Sequence, residues 1–390
     1  MKKIIKKIHL WLALPFGLII AITCFSGAML VFEDEITELT SSHLYKVESN
    51  NTQQPLPIDH LMQLVENSLS ENVDITGVTI PAESDRSYQV NLSKPRRASL
   101  FVNPYTGEVL GNKERTPFFR TMFFLHRWLM DSPSSDDSIF WGRIIVGIST
   151  IMFIVVLITG MISGWSRMRK KVKNRFKIDL SKGWRRFNYD LHVLGGFYAV
   201  VFLLAMALTG LTWSFPWYRT AFNSLFGVEI QPKVELHSKA STPQIKERTS
   251  TSSYVTWPMV YSTIAAENPT HKQIRINTQS ATVSFDRWGN TRASDTYKYD
   301  SNSGEIIDVE RYKEKPKALR VRGWTYSVHT GSWGGWVTKT LSFLAALLGA
   351  SLPLSGYYLW WKRHASKRRR KQKTVSLDLL WLYKPPHKPL

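Results

Sequence analysis

IHLWLALPFGLIIAITCFSGAMLVF, residues 8–32, lies over LHVLGGFYAVVFLLAMALTGLTWSF, residues 191–215, without a gap. His9 matches His192, Ser26-Gly27 matches Thr209-Gly210, and Phe32 matches Phe215, so histidine and glycine stand 18 residues apart in both. Each stretch has 25 residues, and a helix needs roughly 20 apolar residues to cross the hydrocarbon core of a bilayer. A titratable side chain at the mouth of such a run, present twice, asks for an explanation. Ionisable residues in a membrane bundle usually face its interior and serve function.

The correspondence extends outward. Two further runs of spanning length cover residues 139–165 and 337–361. Within them ITGMISGW (158–165) matches LSGYYLWW (354–361), which pairs Thr159-Gly160 with Ser355-Gly356 and Trp165 with Trp361. Between the runs NPYTGEVLG (103–111) echoes DSNSGEIID (300–308). The chain therefore reads as one unit of helix, external domain and helix, used twice in the same orientation. The first run is too long for a signal-peptide core and ends in FEDE with no small-residue cleavage site, so it is expected to stay as a helix.

Charge gives the expected orientation. The net charge is +21. Residues 1–7, the 166–187 stretch and the tail after 361 hold 24 Lys and Arg, against two acids, Asp179 and Asp378, with a third, Asp190, just beyond the loop. The rest of the chain is balanced. Such segregation is the positive-inside pattern, and it predicts both termini and the short loop on the cytoplasmic side. The layout that follows is a cytoplasmic N-terminus and first helix (1–32), an external domain (33–138), a second helix (139–165) and a basic cytoplasmic loop (166–188). A third helix (189–215), a second external domain (216–336), a fourth helix (337–361) and a basic cytoplasmic tail (362–390) complete it. RKKVKNR and KRRRKQK read as anchors beside anionic lipid, which argues against nucleic acid as a partner. Cys24 is the only cysteine and lies inside the first helix, which excludes disulfides, iron–sulfur clusters and Cys-type zinc sites. No glycine-rich phosphate loop is present.

Each external segment has the pattern of a small α+β module. In the first, PIDHLMQLVENSLSE carries apolar residues at helical spacing, and VDITGVTI, SYQVNL and ASLFVN read as strands. In the second, WPMVYSTIAAEN is the helix, and KQIRIN, ATVSFD and DTYKYD are the strands.

Four of the ten histidines hold corresponding places. His9 and His192 begin the first and third helices; His126 in FFLHRWLMD and His329 in YSVHTGSWGG precede the second and fourth. The expected constellation is one pair at each membrane face. One such histidine alone could be an interfacial anchor. Zinc asks for a third or fourth ligand, and no acid or cysteine accompanies either pair. A b-type haem asks for two axial ligands in an apolar slot, which the pairs supply. Gly27, Gly195, Gly196 and Gly210 either make room for a flat macrocycle or permit close helix packing. Lys7, Arg127, Arg143 and Arg186 either face propionates or serve as ordinary interfacial cations. His364, after Trp360-Trp361, is an alternative to His9.

IHLWLALPFGL, FLHRWL, DLHVLGGFY, VHTGSWGG and the terminal GYYLWWKR resemble the PepSY-associated transmembrane family of bacterial inner membranes, over nearly the whole chain. One departure is VHTGSWGG, which lacks the acidic residue that often follows the histidine. The resemblance implies an α-helical membrane protein with four transmembrane helices in a twofold internal repeat and two small α+β PepSY-like periplasmic domains. In the reductase members it also implies two b-type haems, which here would fall on His9, His126, His192 and His329. The function expected is electron transfer from a cytoplasmic reductase or quinol to a periplasmic ferric siderophore or similar chelate. Tyr88, Phe101, Tyr105, Trp257, Tyr261 and Trp288 are candidates to dock it, or else core residues of their modules. The rival readings are a non-enzymatic envelope regulator and a transporter.

Overall fold

Four helices in the computed structural model are long and apolar enough to cross a membrane, Lys2–Val31, Trp141–Trp165, Trp184–Ser214 and Ser332–Ser366. The structure describes residues 2–48, 54–95, 98–132, 139–168, 183–228 and 254–382. The basic run 169–175 lies outside them. In chain order the elements begin with α1 (Lys2–Val31), α2 (Glu33–Thr40), α3 (Ser42–Tyr45) and α4 (Ile58–Ser68). Four strands follow, β1 (Ile75–Pro81), β2 (Tyr88–Leu92), β3 (Ser99–Val102) and β4 (Val109–Asn112). Then come α5 (Pro117–Trp128), α6 (Trp141–Met168) and α7 (Trp184–Asp190), which continues through a π-helical turn, Leu191–Gly195, into α8 (Gly196–Ser214). After α9 (Pro216–Leu225) and α10 (Trp257–Glu267) lie β5 (Gln273–Asn277), β6 (Ser280–Ser284), β7 (Ser294–Tyr299) and β8 (Ile306–Glu310). The chain closes with α11 (Lys317–Thr330) and α12 (Gly335–Leu382).

These elements form two compact units. One comprises Met1–Ala28, Met122–Ser214 and Leu341–Leu390; the other comprises Met29–Thr121 and Phe215–Thr340. The helical unit packs around Ile20, Phe153, Leu157, Leu203 and Ala345. In lipid the hydrophobic effect does not drive helices together, so small residues that admit a neighbouring side chain do more of the work. Gly17 receives Tyr357, whose hydroxyl donates to the Leu14 carbonyl at 2.7 Å. Gly349 lies against Leu203 and Cys24.

The other unit is built on one antiparallel sheet of eight strands in the order β4-β3-β2-β1-β5-β6-β7-β8. Its inner face alternates as a half-buried sheet should: Val78 and Ile80 on β1, Ile274 and Ile276 on β5, Ala281 and Val283 on β6, Tyr297 and Tyr299 on β7. Leu61, Met62 and Val65 of α4, with Trp257, Val260 and Ile264 of α10, belong to the same core. The two external segments, expected as separate modules, thus share a sheet. β1 pairs with β5 through five residues, from Gly77 with Asn277 to Pro81 with Gln273. A strand buried on one face still presents two hydrogen-bonding edges, and each segment covers an edge of the other. The turns that echo one another in sequence contain Gly107 (φ 77°) and Gly304 (φ 74°), in the left-handed region that favours glycine. Each turn leads into a short edge strand with no buried residue, β4 or β8, which alternation does not reveal.

FEDE also gains a role. Its acids open α2, where an N-terminus favours negative charge. Glu33 pairs with Arg115, and Glu35 pairs with Lys339.

Candidate functional site

The helical unit brings His9 and His192 together. Their ring centroids are 6.2 Å apart with planes at 85°. Nδ1 of His9 is 3.0 Å from the Val156 carbonyl oxygen, and Nδ1 of His192 is 3.0 Å from that of Leu352. A carbonyl only accepts, so each Nδ1 carries the proton and donates it, and each Nε2 keeps its lone pair. That is the tautomer a metal ligand requires, fixed by a partner on the far nitrogen.

Both carbonyls belong to the residue three before the serine or threonine of a repeated Ser/Thr-Gly step. Thr159 Oγ1 donates to Val155 and Val156 carbonyls at 2.7 and 3.1 Å, and Ser355 Oγ to the Leu352 carbonyl at 2.9 Å. The glycine beside each faces the ring. A Cβ at Gly160 would lie 3.1 Å from Cε1 of His9, and one at Gly356 would lie 3.2 Å from Cε1 of His192. His126 at the end of α5 repeats the arrangement a third time. Its Nδ1 donates to the Thr23 carbonyl at 2.8 Å, three residues before Ser26, and a Cβ at Gly27 would lie 2.6 Å from its Cε1. The Ser/Thr-Gly steps matched in sequence are therefore recesses for imidazole rings. At the fourth step Thr209 Oγ1 bonds back to the Ala205 and Met206 carbonyls at 2.6 and 3.1 Å, as at the others.

His126 lies outside the four spanning segments. Burial holds its imidazole below the ordinary range; the bond to Thr23 opposes this and the Arg127 charge reinforces it. His329 belongs to the sheet unit and occupies the last turn of α11, ahead of the left-handed Gly331. His364 is exposed and folds onto its own helix, with Nδ1 2.9 Å from the Trp360 carbonyl and its ring 4.8 Å from the indole. The histidine that meets His192 is His9.

At 6.2 Å between centroids, His9 and His192 are near enough to act as a pair of donors. Among the described residues no three His, Cys, Asp or Glu side chains converge as a metal site. A two-nitrogen donor set in an apolar bundle suits haem better than zinc.

Several features of this end of the bundle are not evident from sequence. His192 sits in the π-helical turn, whereas His9 sits in regular α-helix, although the two stretches align without a gap. Single π-turns inside helices are frequent at functional sites. Asp190, only 3% exposed, accepts a hydrogen bond from Arg186 Nε at 2.9 Å. A carboxylate so close to His192 in the chain is thus already neutralised by a cation one turn earlier. Arg127 lies over the rings of Phe123 and Trp128, and Arg143 over Phe140. Gly195 and Gly196 face Leu348 and Leu352. Of the six aromatics weighed for docking, Tyr88, Phe101, Tyr105 and Trp257 are buried and Tyr261 packs against the core. Trp288 alone is open, at 75% exposure.

The family model of the PepSY-associated TM region matches residues 6–363. A comparison with curated proteins finds no match. Four helices of spanning length under a match that covers nearly the whole chain make this a multi-pass membrane protein, and it belongs to the PepSY-associated TM region family.

Proposed function

We propose that the chain is a di-haem b oxidoreductase of the bacterial inner membrane, moving electrons across the bilayer to reduce a periplasmic ferric siderophore or similar chelate and release Fe(II). The meeting of His9 and His192 at 6.2 Å, each with Nδ1 tied to a backbone carbonyl, carries the proposal. Haem b, when bound, supplies a one-electron carrier whose potential the axial ligands and their surroundings tune. His9 and His192 would hold the inner one, and His126 and His329 the outer one.

The chain's own residues do the rest. The carbonyls of Val156, Leu352 and Thr23 hold the proton on Nδ1 and keep each ring from turning. Gly160, Gly356 and Gly27 let the rings lie flush against a helix. Electrons would come from a cytoplasmic reductase or a quinol. One electron converts Fe(III) to Fe(II), and hard oxygen donors hold the softer ion less tightly, so reduction favours release. The direction rests on the basic residues around both termini.

We also read the chain as a twofold repeat. At the centre of the sheet Thr79 faces Arg275, 196 residues on, the same offset that relates Ile158 to Leu354.

The visible spectrum of the purified protein tests the function. Two low-spin, six-coordinate b haems per chain are expected. A colourless protein from haem-sufficient cells would remove the reductase reading and leave that of an envelope regulator.

A further inference from the structure

α9 begins two residues after α8, a bilayer-spanning helix, ends. Its sequence, PWYRTAFNSL, continues into Phe226 and stops at Gly227 (φ 64°). At 100° per residue Trp217, Tyr218, Ala221, Phe222, Leu225 and Phe226 fall on one half of the helix circumference. Arg219, Thr220, Asn223 and Ser224 fall on the other. The division is complete.

None of the residues of α9 is buried. Trp217 is 62% exposed, Leu225 82% and Phe226 48%. Tyr218, Phe222 and Phe226 stack along the helix at 6.1 and 5.2 Å, so the apolar half is a continuous aromatic surface. A water-facing helix does not carry such a face without a partner. The chain itself supplies the reason for choosing lipid. Only Phe215 separates α9 from a helix that has just crossed the bilayer, which holds α9 at the depth of the headgroups.

We propose that α9 lies in the plane of the membrane interface, with Trp217, Phe222 and Leu225 sunk among the upper acyl chains and Arg219 and Asn223 facing water. Helices of this composition bury their apolar side by about 5–10 Å at the headgroup boundary. The partner is the bilayer, and the inference does not depend on haem.

The test uses the full-length protein with Cys24→Ser as background and one new cysteine, either Leu225→Cys or Asn223→Cys, labelled with an environment-sensitive fluorophore. Leu225 is exposed and Asn223 half-buried, on a helix with no buried residue. The proteins are reconstituted in vesicles whose lipids carry a nitroxide either near the headgroup end of the acyl chain or at its terminus. At Leu225→Cys the emission should shift to the blue and be quenched more by the shallow nitroxide than by the deep one. At Asn223→Cys it should remain that of a watery site. Equal emission from both positions would overturn the proposal. So would a blue-shifted Leu225→Cys label that neither nitroxide quenches, which would mean that residues 229–253 or another protein surface cover the helix. Blue-shifted emission that disappears as the protein is diluted into more lipid would mean that a second copy covers it.

Discussion

Replacing Gly27 by alanine would test the imidazole recesses most sharply. The added Cβ would lie 2.6 Å from Cε1 of His126 and 2.8 Å from its Nδ1, where carbon contacts settle at about 3.5–4.0 Å. The ring must retreat by about 1 Å, and the 2.8 Å bond from its Nδ1 to the Thr23 carbonyl is lost. Overpacking costs about 1–3 kcal/mol and an unmade buried hydrogen bond a similar amount, against a gain of roughly 0.5–1 kcal/mol for alanine over glycine in a helix. The net expectation is a loss of about 1–5 kcal/mol at this site. Gly160→Ala is the internal control. Its Cβ would meet His9 at 3.1 Å, so the ring need shift only a few tenths of an ångström, and the helical gain offsets most of the cost. Haem content, the low-spin spectrum and thermal unfolding in detergent would be compared for the two variants. Gly27→Ala should lose the outer haem signal and unfold earlier, while Gly160→Ala keeps both haems with a small change in the inner spectrum. Matching behaviour of the two, or an unaltered Gly27→Ala, would refute the recess as the device that places the ligand.

Three further outcomes are expected. His9→Ala and His192→Ala should each remove the same half of the haem absorbance, and His126→Ala and His329→Ala the other half; loss with His364→Ala would assign the inner ligand wrongly. In oriented vesicles, protein reduced with dithionite should be reoxidised by a ferric siderophore from the periplasmic side only, and severely slowly in the His126→Ala and His329→Ala variants; equal rates from both sides would contradict the direction of flow. Ile276→Ala, at a fully buried position in the middle of the β1–β5 seam, should cost about 2–5 kcal/mol and lower amide protection in β1 and β2 as well as in β5 and β6. Protection lost only after residue 215 would mean that the two external segments fold independently.

The membrane crossings were legible because length and apolarity alone decide them. The partnership of His9 and His192 was legible because gapless matching of 8–32 with 191–215 put them at the same helix mouth. The Ser/Thr-Gly steps stood out as a pattern, yet their role depends on a histidine far along the chain; Thr159 and His9 are 150 residues apart. The joining of β1 to β5 is hidden for a related reason. Backbone pairing leaves no trace in side-chain alternation, so Ile274 and Ile276 look the same in a small sheet or a large one. The π-turn at His192 is a change of backbone winding, and an alignment of residue types passes over it. Tyr88, Phe101 and Trp257 attracted a binding role because aromatic residues suit ligands and cores alike, and only burial separates the two.

The β1–β5 ladder also bears on how far the two segments that share the sheet can move apart. α1 leads into the segment that contains β1, and α8 leads into the segment that contains β5. Alternating-access carriers rock one half of the molecule against the other. Here such a stroke would pull on strands joined by main-chain hydrogen bonds, with Val78 locked against Ile276 and Ile80 against Ile274 beneath them. A sliding step of one residue would turn those side chains out of the core, and a larger opening would unzip the ladder. The ladder fastens the two segments of the sheet unit to each other. That stiffness suits the electron carrier proposed above, which would need fixed distances between its carriers and no open path for a solute.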